Sequence, residues 1–274
     1  MTNKLNKSSF APAIKWSGSK RSQVDEILKL IPSFETYYEP FIGGGSIAYA
    51  VSPENGICGD VCQPLVDFWN KVKNSPNEIA DSYAERWHRL QNEGYTTFNI
   101  IRDQFNSSQN AEDLLFLSRT CVNGLIRFNK QGKFNNGLHH TRKGINPETL
   151  RSILRDWSNR IQGLTFIHGD YRETTKKITE RDFIYLDPPY FNNGSRYFGR
   201  IDYEAFIDFL RELNSKGVKF LLSYDGTRGD HNYIVDLPKE LYKHHRLIPS
   251  GNASFRKVMD GQNEMVMESL YWNF

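Results

Sequence analysis

The sequence predicts an α/β fold in which one strand-and-helix core is interrupted by a basic, helix-rich insertion. Three observations carry this. Short apolar runs alternate with helical stretches at both ends of the chain. One such run feeds a glycine loop and then a helix, Glu39-Pro40-Phe41-Ile42-Gly43-Gly44-Gly45-Ser46. Between residues 73 and 157 the alternation stops and cations accumulate. At 274 residues the chain can bury one large core, or one core with a subdomain. The core is expected over residues 10–72 and 158–274 and the insertion over 73–157.

Thr36 to Phe41 reads as the first strand, and the glycines beyond it lead into a short helix from Ser46. Gly56 to Asp60 is a second strand, followed by a helix around Pro64 to Val72. Within the insertion, Ile79 to Gln91 and Ala111 to Thr120 read as helices. Asn123 to Gly144 is a glycine- and asparagine-rich segment, and Pro147 to Trp157 a closing helix. Leu164 to Gly169 and Asp182 to Leu186 are further short strands. Tyr203 to Lys216 places Phe206, Phe209, Leu210 and Leu213 on one helix face. Val218 to Ser223 is a strand, and Arg256 to Met259, Asp260-Gly261 and Glu264 to Trp272 read as a β-hairpin.

Composition narrows the class. Charged residues make up 24% and the mean hydropathy is −0.61. No apolar run approaches the ~20 residues needed to span a bilayer. Met1 to Ser9 is polar with no apolar stretch behind it, unlike a signal peptide, so an intracellular, cytoplasmic protein is expected. Three cysteines cannot all pair internally, which suits a reducing compartment. Cys58 and Cys62 lack a second Cys/His pair at ligand spacing, so buried thiols are expected rather than zinc. A net charge of +3 says little, but its distribution says more. Arg119, Arg127, Lys130, Lys133, Arg142, Lys143, Arg151, Arg155 and Arg160 face only Glu148 and Asp156 across the same stretch. With asparagines interleaved, this favours a nucleic-acid surface over a merely solvated face.

Two motifs carry chemistry. Asp187-Pro188-Pro189-Tyr190 follows the apolar run Phe183-Ile184-Tyr185-Leu186. Two prolines cannot extend a sheet, so a rigid turn leaves the strand where open α/β sheets place their ligands. It offers a carboxylate, outward carbonyls and an aromatic ring, a set that can grip an exocyclic amine and stack on its ring. In the glycine loop, Gly43 and Gly45 let a ligand approach the backbone at a helix start, and Asp60 ends the next strand where a carboxylate can hold ribose hydroxyls.

Four segments in order, Lys15-Trp16-Ser17-Gly18-Ser19-Lys20, the glycine loop with Gly59-Asp60, Asn123 to Asn135, and Asp187-Pro188-Pro189-Tyr190, resemble the Dam-like (D12, α-group) DNA adenine-N6 methyltransferases. The resemblance spans about Ala11 to Asn273. It implies a Rossmann-like, S-adenosylmethionine-dependent core, a mixed sheet flanked by helices, with an α-rich target-recognition insertion carrying a β-hairpin. It further implies Trp16, Lys20, Glu39, Gly43, Gly45, Asp60, Asp170 and Asp187 around S-adenosylmethionine, and Asp187, Pro188 and Tyr190 at a flipped-out adenine. No metal is implied. Arg127, Asn129, Lys130, Gln131, Lys133, Asn135, Arg142 and Lys143 become the candidates for contact with double-stranded DNA at a short adenine-containing site. A cognate restriction endonuclease is left open as a partner. Gln131 and Asn136-Gly137-Leu138-His139-His140 depart from the pattern of GATC-specific members, which leaves the recognition sequence open as well. The alternatives are the same chemistry on RNA or a protein amide, a catalytically idle DNA-binding module, and a nicotinamide-dependent oxidoreductase. The last leaves the Asp-Pro-Pro-Tyr turn and the basic insertion without a role.

Overall fold

The computed structural model describes residues 10–129, 131–189, 201–229, 231–235, 237–252 and 265–274. In chain order the described strands are β1 (Tyr37–Glu39), β2 (Gly56–Asp60), β3 (Leu164–His168), β4 (Phe183–Leu186), β5 (Lys219–Arg228), β6 (His231–Asn232), β7 (His244–Asn252) and β8 (Met265–Trp272). In space they form one sheet in the order β3-β2-β1-β4-β5-β8-β7, with β6 paired to β5. Strands β1 to β5 run parallel, whereas β8 lies antiparallel between β5 and β7. The order reverses between β1 and β4. Chain leaves β1 toward one edge and returns from β3 to start the other half, so a crevice opens at their carboxyl ends.

The α-helices are α1 (Val24–Leu28), α2 (Ser46–Val51), α3 (Gln63–Asn74), α4 (Pro76–Glu93), α5 (Tyr95–Ser108), α6 (Ala111–Thr120), α7 (Pro147–Arg160), α8 (Tyr171–Thr174) and α9 (Tyr203–Ser215). Their starts are chemically marked. Asn110, Asn146 and Asp202 accept backbone N–H groups at the heads of α6, α7 and α9. Such caps satisfy donors that a helix leaves unpaired and each contributes about 1 kcal/mol.

The central strands β1 and β4 are buried on both faces, as a sheet covered on both sides requires, whereas the edge strand β3 buries one. Along β4, Phe183 and Tyr185 join the core that also holds Trp69 and Trp157, while Ile184 and Leu186 face the opposite core. That opposite core is closed by α9 through Phe206, Phe209, Leu210 and Leu213, the face its spacing predicts. The first core runs without a break from beneath α3 into the insertion, through Tyr83, Phe98, Leu114 and Phe116.

Two expectations need correcting. Helix α5 was not expected, because Tyr95–Ser108 is rich in threonine, asparagine and serine, which favour turns and caps. Burial of Phe98, Ile101 and Phe105 on one face overrides that weak propensity, and Gly94 (φ +56°) breaks it from α4. At the C-terminus β8 matches the expected second arm of a hairpin, and its described partner is β7, a strand that was not expected. Pro249 and three polar residues at its start mask strand character that pairing with β8 imposes. The Asp260-Gly261 turn and Arg256 to Met259 lie outside the described residues.

Candidate active site

A cleft enclosing about 960 Å³, part of it open to solvent, lies at the switch point. Trp16, Lys20, Glu39, Gly43, Gly45, Asp60, Asp170, Asp187 and Pro188 all line it. The fold brings them there from separate elements. Glu39 ends β1, Asp60 ends β2, Asp170 caps α8 after β3, and Asp187 and Pro188 follow β4. Of the candidates for this cleft, Tyr190 lies outside the described residues.

The glycine loop is shaped by its surroundings. Gly43 (φ +46°) and Gly45 (φ +67°) occupy the left-handed region, which side-chain-bearing residues adopt at a cost. Space is also lacking: a Cβ on Gly45 would sit 2.9 Å from the Trp69 ring, and one on Gly43 would sit 3.0 Å from Trp16. Trp69 Nε1 donates to the Gly43 carbonyl at 3.1 Å, a tie that sequence reasoning missed. Its signal was one tryptophan on the buried face of α3. Asp60 braces the loop from below, accepting from Gly43 N at 3.2 Å and Cys62 N at 2.9 Å. Each carboxylate oxygen has a second lone pair, so capacity for ligand hydroxyls remains. Ser19 and Ser46 exchange a hydrogen bond of 2.9 Å across the mouth of the loop.

Burial sets the charges. The Glu39 carboxyl is pushed up to about 8 by burial, with Asp187 adding to the rise; the hydroxyl of Tyr37, which donates to it at 2.7 Å, and Lys20 pull the other way. Glu39 is therefore largely protonated at pH 7. Asp60 is pushed up to about 6 by burial, against the backbone N–H groups that favour its charge. Asp187 likewise rises to about 6 through burial and the nearby Glu268, opposed by Lys20. Lys20 is itself buried, 2.7 Å from Asp187 Oδ1 and 3.5 Å from Glu268 Oε2. Glu268 on β8 is a second residue that sequence reasoning missed; it lies 81 positions beyond Asp187, and only the antiparallel return of β8 brings it close.

The insertion carries the polar candidates on a tight hairpin. Phe128 pairs with Phe134 as an antiparallel bridge, and Asn129 N donates to the Lys133 carbonyl at 2.8 Å. Gly132 (φ +72°) makes the turn. Arg127, Asn129, Gln131, Lys133, Asn135, Arg142 and Lys143 are all exposed, while Lys130 lies outside the described residues. Three of them also shape the hairpin. The Asn129 side-chain oxygen accepts from Gln131 N and Lys133 N, and Arg127 Nε donates to Asn135 Oδ1 at 3.0 Å. Asn106 of α5 pins the hairpin, accepting from Phe134 N at 2.7 Å and donating to its carbonyl at 3.1 Å. The insertion also reaches the cleft's edge. A Cβ on Gly124 would lie 3.1 Å from Lys15 Cβ, beside Trp16, and buried Arg119 donates to the Pro12 and Ala13 carbonyls.

Sheet order, switch-point cleft and acid-ended strands together define an α/β methyltransferase core. The D12 class N6 adenine-specific DNA methyltransferase family matches residues 16–251 of the chain. A DNA adenine methylase of Vibrio cholerae serotype O1 is 30% identical over 259 residues, covering 89% of this chain and 92% of that protein. The type II methyltransferase M1.LlaDCHI of Lactococcus lactis subsp. cremoris is 27% identical over 255 residues, covering 87% and 86%. Among solved structures, an rRNA methyltransferase, aviRa, from Streptomyces viridochromogenes aligns over 98% of this chain and 93% of its own at a TM-score of 0.44 and 9% identity. The chain belongs to the D12 class of N6 adenine-specific DNA methyltransferases. It is a site-specific DNA methyltransferase acting on adenine N6.

Proposed function

We propose that the cleft binds S-adenosylmethionine and that Asp187 and Pro188 grip the N6 amine of an adenine rotated out of a short duplex site. One observation carries the reading: Asp187, after β4, and Glu39, at the end of β1, line a single cleft on either side of the point where strand order reverses. The residues suit a cationic sulfonium nucleoside. Gly43 and Gly45 leave the backbone open, Asp60 offers acceptors for ribose hydroxyls, and carboxyl groups line the cleft. When bound, S-adenosylmethionine would supply an already activated methyl group, with S-adenosylhomocysteine as the product and the surplus amine proton passing to water.

The adenine amine is a weak nucleophile because its lone pair is drawn into the ring. Asp187 and the Pro188 carbonyl accept its hydrogens, localise the lone pair and stabilise the positive charge that develops on nitrogen. Holding the amine in line with the donor supplies much of the remaining rate. Tyr190 is assigned the stacking face for the extruded base, whose unstacking costs a few kcal/mol. Arg127, Asn129, Gln131, Lys133 and Asn135 are assigned to base edges, and Lys130, Arg142 and Lys143 to phosphates. The type II name of the Lactococcus relative supports a cognate restriction endonuclease as partner, and a DNA substrate supports action in the cytoplasm. No helix among the described residues is long and apolar enough to cross a membrane.

Incubation with methyl-labelled S-adenosylmethionine and duplex DNA, followed by nucleoside analysis, is expected to yield N6-methyl-2′-deoxyadenosine as the only labelled nucleoside. Asp187→Ala is expected to abolish the label while leaving DNA affinity within about threefold. Label confined to RNA or protein would overturn the acceptor, and parallel loss of DNA binding would make Asp187 structural.

A further inference from the structure

Lys20 is buried between two carboxylates, one just after β4 and the other on β8, in the same half of the sheet. Its ammonium lies 2.7 Å from Asp187 Oδ1 and 3.5 Å from Glu268 Oε2, and it also donates to the Gly18 carbonyl at 3.0 Å. An ammonium held this close draws charge from Asp187 and weakens it as an acceptor for an incoming amine. The amine and Lys20 therefore compete for one carboxylate.

Glu268 is built to receive the displaced cation. Its Oε2 is buried and makes no hydrogen bond, while Oε1 is fixed by the Ser250 hydroxyl at 2.9 Å. A movement of Lys20 by about 0.7 Å would bring it to the ~2.8 Å typical of a charge-assisted hydrogen bond. The sheet is also distorted around this residue. The β5–β8 register slips between Asp225 and Thr227, and the β7–β8 register between Pro249 and Gly251, so both neighbours of β8 are irregular opposite Met267. Such bulges re-aim side chains and are common next to active sites. Gly226 permits the slip, since a Cβ there would lie 2.2 Å from the Met267 carbonyl oxygen. Asp225 stands directly opposite Glu268, an arrangement of like charges that a sheet disfavours unless a cation offsets it.

We propose that Glu268 is a positioning residue for methyl transfer: it is the second seat of the Lys20 ammonium, which lets Lys20 leave Asp187 when the target amine arrives. The proposal rests on Asp187 gripping that amine. The groups facing Asp187 are Lys20 from the N-terminal segment, Glu39 from β1, Tyr185 from β4 and Glu268 from β8, with Asp225 and Arg228 of β5 behind them. Glu268 raises the Asp187 pKa and Lys20 lowers it, so losing the Glu268 charge leaves Lys20 held by Asp187 and makes Asp187 more acidic.

The test is steady-state methylation by Glu268→Gln over pH 5 to 9, with S-adenosylmethionine affinity measured by calorimetry. The expected result is a kcat lower by about tenfold, KM for DNA and donor affinity within about twofold, and an acid limb moved below that of the parent enzyme. Glu268→Asp, which keeps a carboxylate, is expected to recover part of the rate. Ser250→Ala, which removes only the bond fixing Oε1, is expected to lower kcat by a smaller factor and covers the case in which Glu268→Gln does not fold. Unchanged kcat and acid limb in a folded Glu268→Gln or Ser250→Ala, with Asp187→Ala inactive, would overturn the second seat and leave the amine grip standing. An active Asp187→Ala would instead overturn the reading beneath it. Equal losses of kcat, donor affinity and melting temperature in every Glu268 and Ser250 variant would make the role structural.

Discussion

Glu39 carries the most displaced carboxyl in the cleft, and the sign of its effect can be worked through. Its folded pKa of about 8 lies above the unfolded value of 4.5, so the folded protein holds a proton that the unfolded chain has released. Its contribution to stability is full below pH 4.5 and is lost as pH rises through about 8. Glu39→Gln keeps the shape without the proton and should flatten the fall in melting temperature between pH 6 and 9, by an amount on the order of a few kcal/mol at most. A variant that declines with pH as steeply as the parent would show that Glu39 is ionised in the fold. Asp60 and Asp187, both at about 6, act in the same direction over a lower window, so the Glu39→Gln variant retains some slope below about pH 6.

At the scale of elements, the hairpin around Gly132 is held by little of its own structure. One bridge pair and a five-residue turn cannot stand alone in water. Phe134 and Asn106 dock it on α5, with the Phe105, Phe128 and Phe134 rings in mutual contact. Asn106→Ala removes two hydrogen bonds to the Phe134 backbone, worth about 1–2 kcal/mol together. The expected outcome is methylation that discriminates less between the preferred duplex and one with a single changed pair, at unchanged donor affinity. Undiminished discrimination would show that the hairpin is ordered by DNA instead. Helix α5 was hard to read from sequence for the reason that makes it useful: its polar positions serve the hairpin, and that service is a tertiary fact. Strands β2 and β4 and helices α6 and α9 were readable because their apolar spacing already reflects one or two covered faces. The cleft was readable where residue type alone does the work, as with the glycine loop and Asp187. Glu268 and Trp69 were not, because nothing local distinguishes a glutamate in a strand or a tryptophan in a helix until the sheet closes.

For the molecule as a whole, the insertion and the catalytic core share one apolar interior. Trp157 of α7 donates to the Ala11 carbonyl at 2.8 Å, and Arg119 of α6, with its pKa pushed down to about 10 by burial, holds the same N-terminal segment. Removing either partner would leave polar groups buried without bonds. A single cooperative unfolding transition is therefore expected in calorimetry, with calorimetric and van't Hoff enthalpies in agreement. Two resolved transitions would mean that the insertion folds as a unit of its own.

The interior position of β8 has a consequence for how the chain is made. Of the described strands it is synthesised last, yet it lies between β5 and β7 and carries Glu268 to within 3.5 Å of Lys20. Until it emerges from the ribosome, β5 and β7 each present an open ladder of unpaired backbone groups, the kind of edge that invites pairing with a neighbouring nascent chain. A chaperone that shields strand edges during translation would act on this protein at its final step, when Lys20 acquires its second carboxylate partner.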